Sequence, residues 1–599
     1  MNIREKELLI SIAEHPFSNQ RELAQRTGCS LGIINRLLRE LTEKGYLDRD
    51  AKLTELASEE LESSRPQRAV ILAAGYGMWM VPINTETPKG LLTVRGETLC
   101  ERLIRQLQEA GVREIHMVVG FMKEQYEFLM DRYGVDLIVN RDYAGGNNLL
   151  SIEKAARYLE NCYVLPCDIW CAENPFRGRE LYPWYMVTDE KDRRSHFRAT
   201  RKMELAETAR GEAGDRMTGI AYLTGDIAGA VRERLQISAG QARYRGSTWE
   251  EAVLEQEVLR KGFAVRVMRD SLFSEINTYE ELRELDSGSA QLRTDAIRVI
   301  CGVLDAEPSE IHDIRVLKKG MTNRSFLFSC RDGRYIMRIP GEGTEQMINR
   351  RQEAEAYRLA AQEGFCEEVL YLNPDNGYKI TRYEPDARVC DAAVESDVEA
   401  CMAVLRDLHG RRLHVGHTFD IFGQMQFYEN LRGGAPSVYR DYAETKAHVR
   451  SLKPYIEAFA EEQVLTHIDA VPDNFLFVPD RNAFGDGRSK VLLIDWEYAG
   501  MQDPHTDLAM FCIYAMYDRT QVDRLIEIYF QGPPPEETRV KIYALIAACG
   551  LLWSNWCEYK RMLGVEFGAY SLAQYRYAKD YYRIVRASEA WRAFTEPGK

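Results

Sequence analysis

One stretch constrains this chain more than any other. Leu465 onward reads L-T-H-I-D-A-V-P-D-N-F-L-F and, after a polar loop, V-L-L-I-D-W-E-Y-A-G, ending at Gly500. His467, Asp469 and Asn474 lie on a short loop between apolar runs, and Asp495 closes a β-rich run about twenty residues later. A polar hairpin with capping Asp and Asn residues is the bland alternative, and the added I-D-W-E-Y argues against it. Transfer of a phosphoryl group to a hydroxyl needs these residue types at this spacing. A carboxylate must sit where the hydroxyl loses its proton, and an amide oxygen plus a second carboxylate must hold Mg²⁺ against the phosphates. Asp469 is read as the base or hydroxyl-orienting group, and Asn474 and Asp495 as metal ligands.

At 599 residues the chain has room for three or four domains. Its net charge of −14 argues against general affinity for nucleic acid or a membrane surface. No apolar run approaches the ~18 to 20 residues of a membrane span, and the start, M-N-I-R-E-K-E-L-L-I, lacks a signal-peptide core. Thirteen cysteines without a C-x-x-C read as reduced thiols, so a cytoplasmic protein is expected. Cys162, Cys167 and Cys171 cluster, but zinc would want a fourth ligand and tighter pairing.

Residues 1–65 carry three helical patterns. Leu8, Leu9, Ile12 and Ala13 mark the first and Arg21 to Arg26 the second, which Gly28 breaks. Ser30 caps a third bearing Ile33, Ile34, Leu37, Leu38 and Leu41. The following G-Y-L-D-R-D-A-K-L-T suits a small β-wing. The segment resembles the winged helix-turn-helix of bacterial regulators, which would turn Asn35, Arg36 and Arg39 toward a DNA groove. Ten basic residues face twelve acidic ones here, an adverse balance where phosphate contacts dominate affinity. Packing or dimerisation is therefore expected rather than DNA binding.

Pro66 opens the second segment, 66–288. A hydrophobic strand runs into A-A-G-Y-G-M-W-M, then T-P-K-G-L-L. Gly75 and Gly77 allow backbone N–H groups to approach a phosphate chain, and Lys89 can bring positive charge to it. Strands and helices then alternate (helix Leu99 to Ala110, strand Ile115 to Val119, strand Val135 to Asn140), implying a doubly wound, Rossmann-like sheet with its ligand at the carboxyl ends of the strands. Asp168 follows C-Y-V-L-P-C, where a Mg²⁺-binding carboxylate is needed. With V-V-G-F-M-K-E-Q, Asn147–Asn148 and F-S-E-I-N-T-Y-E-E-L, this segment resembles the nucleotidyltransferases, specifically bacterial CTP:phosphocholine cytidylyltransferases. The resemblance implies attack of the acceptor's phosphate on the α-phosphate of CTP, pyrophosphate leaving. Two positions depart from that family. Trp79 stands where an Arg grips the triphosphate, and Asn277 stands where a second metal carboxylate belongs.

The third segment, 289–599, follows the short joint D-S-G-S-A. K-K-G-M-T-N-R-S-F-L-F reads as strand, turn, strand, with Gly320, Thr322 and Asn323 over nucleotide phosphates. Tyr335 to Ile339 is the next strand, carrying Arg338 where protein kinases place a phosphate-binding lysine. A helix opening near Thr344 brings Glu353 to pair with it, and Tyr378 to Tyr383 is the last small-lobe strand and hinge. With the opening stretch, the segment resembles the choline/ethanolamine kinase branch of the two-lobed, protein-kinase-like aminoglycoside-phosphotransferase fold, in which Arg at this position is usual. A quaternary ammonium offers no N–H and is bound by aromatic faces. The resemblance assigns that role to Trp553 and Trp556, i,i+3 neighbours on a helix, with Phe567 and Tyr570; a core stripe is the alternative.

The whole reads as a multidomain α/β and α+β chain. It is expected to make CDP-choline from choline, ATP and CTP through phosphocholine, with Mg²⁺ at Asp168 and Asn277 in one half and Asn474 and Asp495 in the other. The rivals are another amino alcohol or an aminoglycoside as acceptor, or a DNA-binding regulator with enzyme-derived sensor domains. In bacteria carrying such enzymes, the resemblance implies phosphocholine decoration of surface glycopolymers.

Overall fold

The computed structural model describes the chain apart from residues 144–146, 210, 245, 255, 260–261, 318–322, 342–346, 480–488, 564–566 and 597–599. The chain groups into two compact units, Met1–Val316 and Leu317–Lys599.

The first unit opens with helices Ile3–Glu14, Gln20–Thr27 and Leu31–Glu43. Gly28 ends the second in the left-handed region, at φ 65°, where glycine carries no Cβ penalty. Ser30 stands at the N-cap of the third helix but makes no capping bond. Of the expected wing, a single bridge between Leu47 and Leu53 forms. A fourth helix follows, Glu55–Ser63, capped by Thr54; no expectation covered it.

Strand Arg68–Ala73 is an interior strand of a seven-stranded sheet. It pairs in parallel with Glu114–Val119 on one side and Cys162–Pro166 on the other, and Asp136–Val139 extends the first side in parallel. Beyond Cys162–Pro166, Gly214–Leu223 and Trp184–Asp192 join antiparallel, and Ala264–Met268 closes that edge parallel to its neighbour. Alternate residues of Arg68–Ala73 serve different cores. Ala69, Ile71 and Ala73 share one with the N-terminal helices' Leu8, Leu9, Leu37 and Leu41, while Val70 and Leu72 pack with Leu149, Ile152 and Trp249. A strand covered on both faces is apolar throughout, as A-V-I-L-A reads. The winged helix and the sheet are thus built on one continuous core.

In the second unit, Asn323–Cys330 pairs antiparallel with Gly333–Pro340, which pairs with Lys379–Arg382. Val369–Leu372 lies outside that last strand, so the expected final strand is interior. Helix Arg350–Gln362 carries Glu353. The larger lobe is helical, built around Glu536–Met562 and Ala569–Ala587. Helix Glu536–Met562 is long and apolar enough to cross a membrane by length and composition, against the expectation that no run would be. Its most apolar window is 94% buried inside the unit, which accounts for its apolarity as core.

Candidate active sites

In the second unit, strand Val464–Thr466 delivers His467, Asp469 and Asn474, and strand Ser489–Leu493 delivers Asp495. The loop is pinned from below. The Asp507 carboxylate accepts the backbone N–H groups of His467 (3.0 Å) and Ile468 (2.7 Å), and the buried His467 ring sits 3.0 Å from the Ile494 carbonyl. Ile468 and Asp495 both adopt left-handed backbone, at φ 65° and 68°, a strained choice for residues with a Cβ and one that clusters at functional sites. Asn474 donates its amide to the Asp469 carboxylate at 3.1 Å and to the Asp469 carbonyl at 2.9 Å. Burial, reinforced by the Asp495 charge, pushes Asp469 up to about 7.

Arg338 and Glu353, both buried, form the anticipated ion pair at 2.5 Å, and the same guanidinium nitrogen lies 3.6 Å from Asp495. Burial would raise Glu353, but Arg338 outweighs it and holds the carboxylate below its ordinary range. Asn474 spends its N–H₂ on Asp469, which leaves its amide oxygen as an acceptor. That oxygen and the Asp495 carboxylate are hard donors of the kind that fit Mg²⁺. Gly320 and Thr322 lie outside the described residues, as does the side chain of Asn323.

Glu497 is a third carboxylate here that sequence reading passed over. Its side chain is buried 3.7 Å from the Arg350 guanidinium, and burial together with Asp495 pushes it up to about 8. The signal was present as the second acid of I-D-W-E-Y.

The four aromatic residues stand in one row. Trp553 and Trp556 stack with centroids 6.4 Å apart, Trp556 meets Phe567 at 5.1 Å, and Phe567 meets Tyr570 at 6.4 Å. Tyr498 extends the row at Trp553 (5.9 Å) and Tyr514 at Tyr570 (5.9 Å); neither was anticipated. Burial raises Tyr498, Tyr514 and Tyr570, and the Asp469 charge adds to all three, so these phenols lie within electrostatic reach of Asp469. Trp553 is buried and the other three are half-buried, and the Lys560 ammonium lies 5.7 Å from the Trp556 ring.

In the first unit, strand Arg68–Ala73 runs out into Gly75 and Gly77. Gly77 sits at φ 61°, and a Cβ there would come 2.9 Å from the Lys89 side chain, so the close approach needs glycine. Asn84 ties the turn down by donating to the Gly77 carbonyl at 3.0 Å. Lys89 donates to the Asp168 carboxylate at 2.9 Å and to the Asn277 amide oxygen at 2.6 Å. Burial would lower this ammonium; Asp168 outweighs that and raises it. Expected to face phosphates, Lys89 here bridges the two residues expected to hold metal. Their oxygens converge on a single cation, a donor set that fits Mg²⁺ as well. Glu275 is the residue sequence reading missed. Strand Phe273–Glu275 places it opposite Ile169, and burial with the neighbouring Asp168 raises it above its ordinary range. Trp79, on the turn Met78–Met80, is 60% exposed.

The first unit thus carries a candidate site on a doubly wound, nucleotidyltransferase-type sheet and the second a candidate site on a protein-kinase-like fold. Residues 313–543 match the phosphotransferase enzyme family, residues 69–176 the MobA-like NTP transferase domain, and residues 1–48 a winged helix-turn-helix DNA-binding family. Over 111 residues the chain is 40% identical to choline-phosphate cytidylyltransferase of Streptococcus pneumoniae, an alignment covering 18% of this chain and about half (48%) of that relative. Protein LicA of Haemophilus influenzae is 27% identical over 268 residues, 42% of this chain and 75% of the relative. The 2-aminoethylphosphonate cytidylyltransferase of Lancefieldella rimae is 26% identical over 231 residues, 37% of this chain and 94% of the relative.

Proposed function

We propose that this chain makes CDP-choline in two steps, phosphorylating choline with ATP and then transferring CMP from CTP to phosphocholine. The observation that carries the reading is the row of ring faces Trp553, Trp556, Phe567 and Tyr570 in the unit that holds Asp469, since a quaternary ammonium is held by ring faces while its hydroxyl reaches a carboxylate. In the first step Asp469 accepts or orients the proton of the choline hydroxyl as its oxygen attacks the γ-phosphorus of ATP and the bond to the β-phosphate oxygen breaks. Arg338, held by Glu353, faces the phosphates. Mg²⁺, when bound by Asn474 and Asp495, would neutralise the charge on the leaving phosphate. In the second step a phosphocholine oxygen attacks the α-phosphorus of CTP and pyrophosphate leaves. The Gly75–Gly77 backbone and Lys89 position the triphosphate, with Asp168 and Asn277 as ligands for a second Mg²⁺ site. We place the protein in the cytoplasm, assign its product to decoration of surface glycopolymers, and read the N-terminal helices as a packing element rather than a DNA reader.

One observation favours a second reading of the cytidylyl step, with an aminoalkyl phosphonate as acceptor. The alignment with the 2-aminoethylphosphonate cytidylyltransferase spans 94% of that protein.

Incubation of the purified protein with choline, ATP, CTP and Mg²⁺, with products separated by mass, tests the scheme. CDP-choline is expected, and Asp469→Asn and Asp495→Asn should each cut phosphocholine formation by orders of magnitude with the fold retained. CMP transfer to 2-aminoethylphosphonate but not to phosphocholine would select the second reading.

A further inference from the structure

In the kinase reading Asp495 holds its carboxylate against the phosphates from a left-handed backbone, at φ 68°, an uncommon conformation for a residue with a Cβ. What fixes it comes from another element. Its backbone N–H donates to the Tyr357 phenol at 3.0 Å. Tyr357 lies on helix Arg350–Gln362, four residues after Glu353, so one face of that helix carries both groups.

The phenol is itself held. It accepts a bond from the Lys379 ammonium, which also donates to Glu367 at 2.8 Å, and its own O–H points to Glu367 at 3.4 Å. The ammonium additionally lies 4.2 Å from the Tyr357 ring centroid. One donor and two acceptor positions are all a phenol has, and all three are used. Tyr357, Lys379 and Glu367 are buried, and Lys379 stands opposite Arg338 in the sheet register.

We propose that Tyr357 is a positioning residue for the phosphoryl-transfer site, fixing the backbone of Asp495 through a phenol that the buried Lys379–Glu367 pair holds in place. Helix Arg350–Gln362 thereby sets two groups at once: Arg338 through Glu353, and the Asp495 carboxylate through Tyr357 one turn later. The inference rests on the kinase reading of this unit and adds a residue that touches neither substrate nor cation.

Binding of Mn²⁺ to the full chain, in the presence of a non-hydrolysable ATP analogue and followed by the electron paramagnetic resonance of the free ion, tests this without catalysis. Tyr357→Phe keeps the ring and removes the acceptor, so Mn²⁺ affinity should fall roughly tenfold, the scale of one lost buried hydrogen bond. Analogue affinity measured without the metal should be unchanged. Thermal unfolding of the same samples separates positioning from damage. Unchanged Mn²⁺ affinity in folded Tyr357→Phe would overturn the proposal, as would equal weakening of metal and metal-free analogue binding. If the parent binds the metal–nucleotide pair and Tyr357→Phe weakens it, yet choline is not phosphorylated, the acceptor assignment falls and the positioning role stands. If the parent binds no metal–nucleotide pair, both fall.

Discussion

At the residue scale, the polar spacing around Asp469 and Asp495 was legible because phosphoryl transfer leaves little freedom in residue type. Glu275 was not, because it becomes a neighbour of Asp168 only when strands pair, and Glu497, although two residues from Asp495 in the sequence, is set apart from a solvated acid only by its burial. Glu250 is another residue that only burial reveals. Its side chain is buried beneath the sheet, 2.9 Å from the Tyr185 hydroxyl, and burial pushes it up to about 7. A carboxyl raised in the folded state stabilises fully below its unfolded value near 4.5, and that contribution is lost as pH rises toward and through about 7. The parent should therefore lose up to roughly 3 kcal/mol across that window, and Glu250→Gln should flatten this part of the unfolding-midpoint profile. Parallel pH profiles for parent and variant would count against the burial argument. Trp79 carries a second expectation at this scale. Exposed and uncharged, it supplies no clamp for a triphosphate, and a charge-assisted bond is worth ~1.5 to 3 kcal/mol. Trp79→Arg should raise CTP turnover by about one to two orders of magnitude, and Asp168→Ala should abolish it, both read as pyrophosphate release. A slower Trp79→Arg enzyme would mean that the indole has a positive role.

At the scale of elements, hydrophobic periodicity located the first three helices and the central strands. It missed the helix Glu55–Ser63 and the outer strand Val369–Leu372, where short, charged or mixed runs carry little periodic signal. It also could not show that the N-terminal helices share a core with the α/β domain. That seam is polar as well as apolar: Glu7 of the first helix bonds Tyr182 and Arg177 and lies 3.5 Å from Arg266, while Lys6 donates to the Leu181 carbonyl at 2.8 Å. On the third helix, Arg36 and Arg39 are exposed but each lies 3.7 Å from a glutamate one turn on, which blunts their pull on phosphates. Helix Glu536–Met562 shows the same limit from the other side: the sequence reading finds no span-length run, the helix is apolar and long enough for one, and packing makes it a core. Its Trp553 and Trp556 give the element-scale prediction. If their faces meet a trimethylammonium, replacing either with Ala removes ~1 to 2 kcal/mol and raises the choline KM about five- to thirtyfold, leaving the ATP KM near the parent value. Trp553 is also core, so Trp553→Phe, which keeps a ring, should restore most of the loss. Equal shifts in both KM values would make the row packing alone.

At the scale of the whole molecule, the residues of each site lie within a single compact unit. Gly75, Gly77, Lys89, Asp168, Glu275 and Asn277 belong to the first, and Arg338, Glu353, Asp469, Asn474 and Asp495 to the second. Neither described constellation borrows a side chain from the other unit. Sharing a chain raises the local concentration of one site about the other but does not by itself make a channel. Phosphocholine made in one unit is therefore expected to exchange with solvent before CMP is transferred. An equimolar mixture of two full-length variants, Asp469→Asn and Asp168→Ala, then makes a sharp test. Each lacks one step, and the intermediate must pass between molecules. The mixture should form CDP-choline from choline, ATP and CTP after a lag, and should reach a steady rate within about twofold of half the parent's, since half of each site is inactivated. Unlabelled phosphocholine added to the parent should dilute label arriving from choline in proportion to its concentration. A mixture that stays silent while each variant keeps its remaining activity, or parent product that resists dilution, would mean that the intermediate is handed over within the chain.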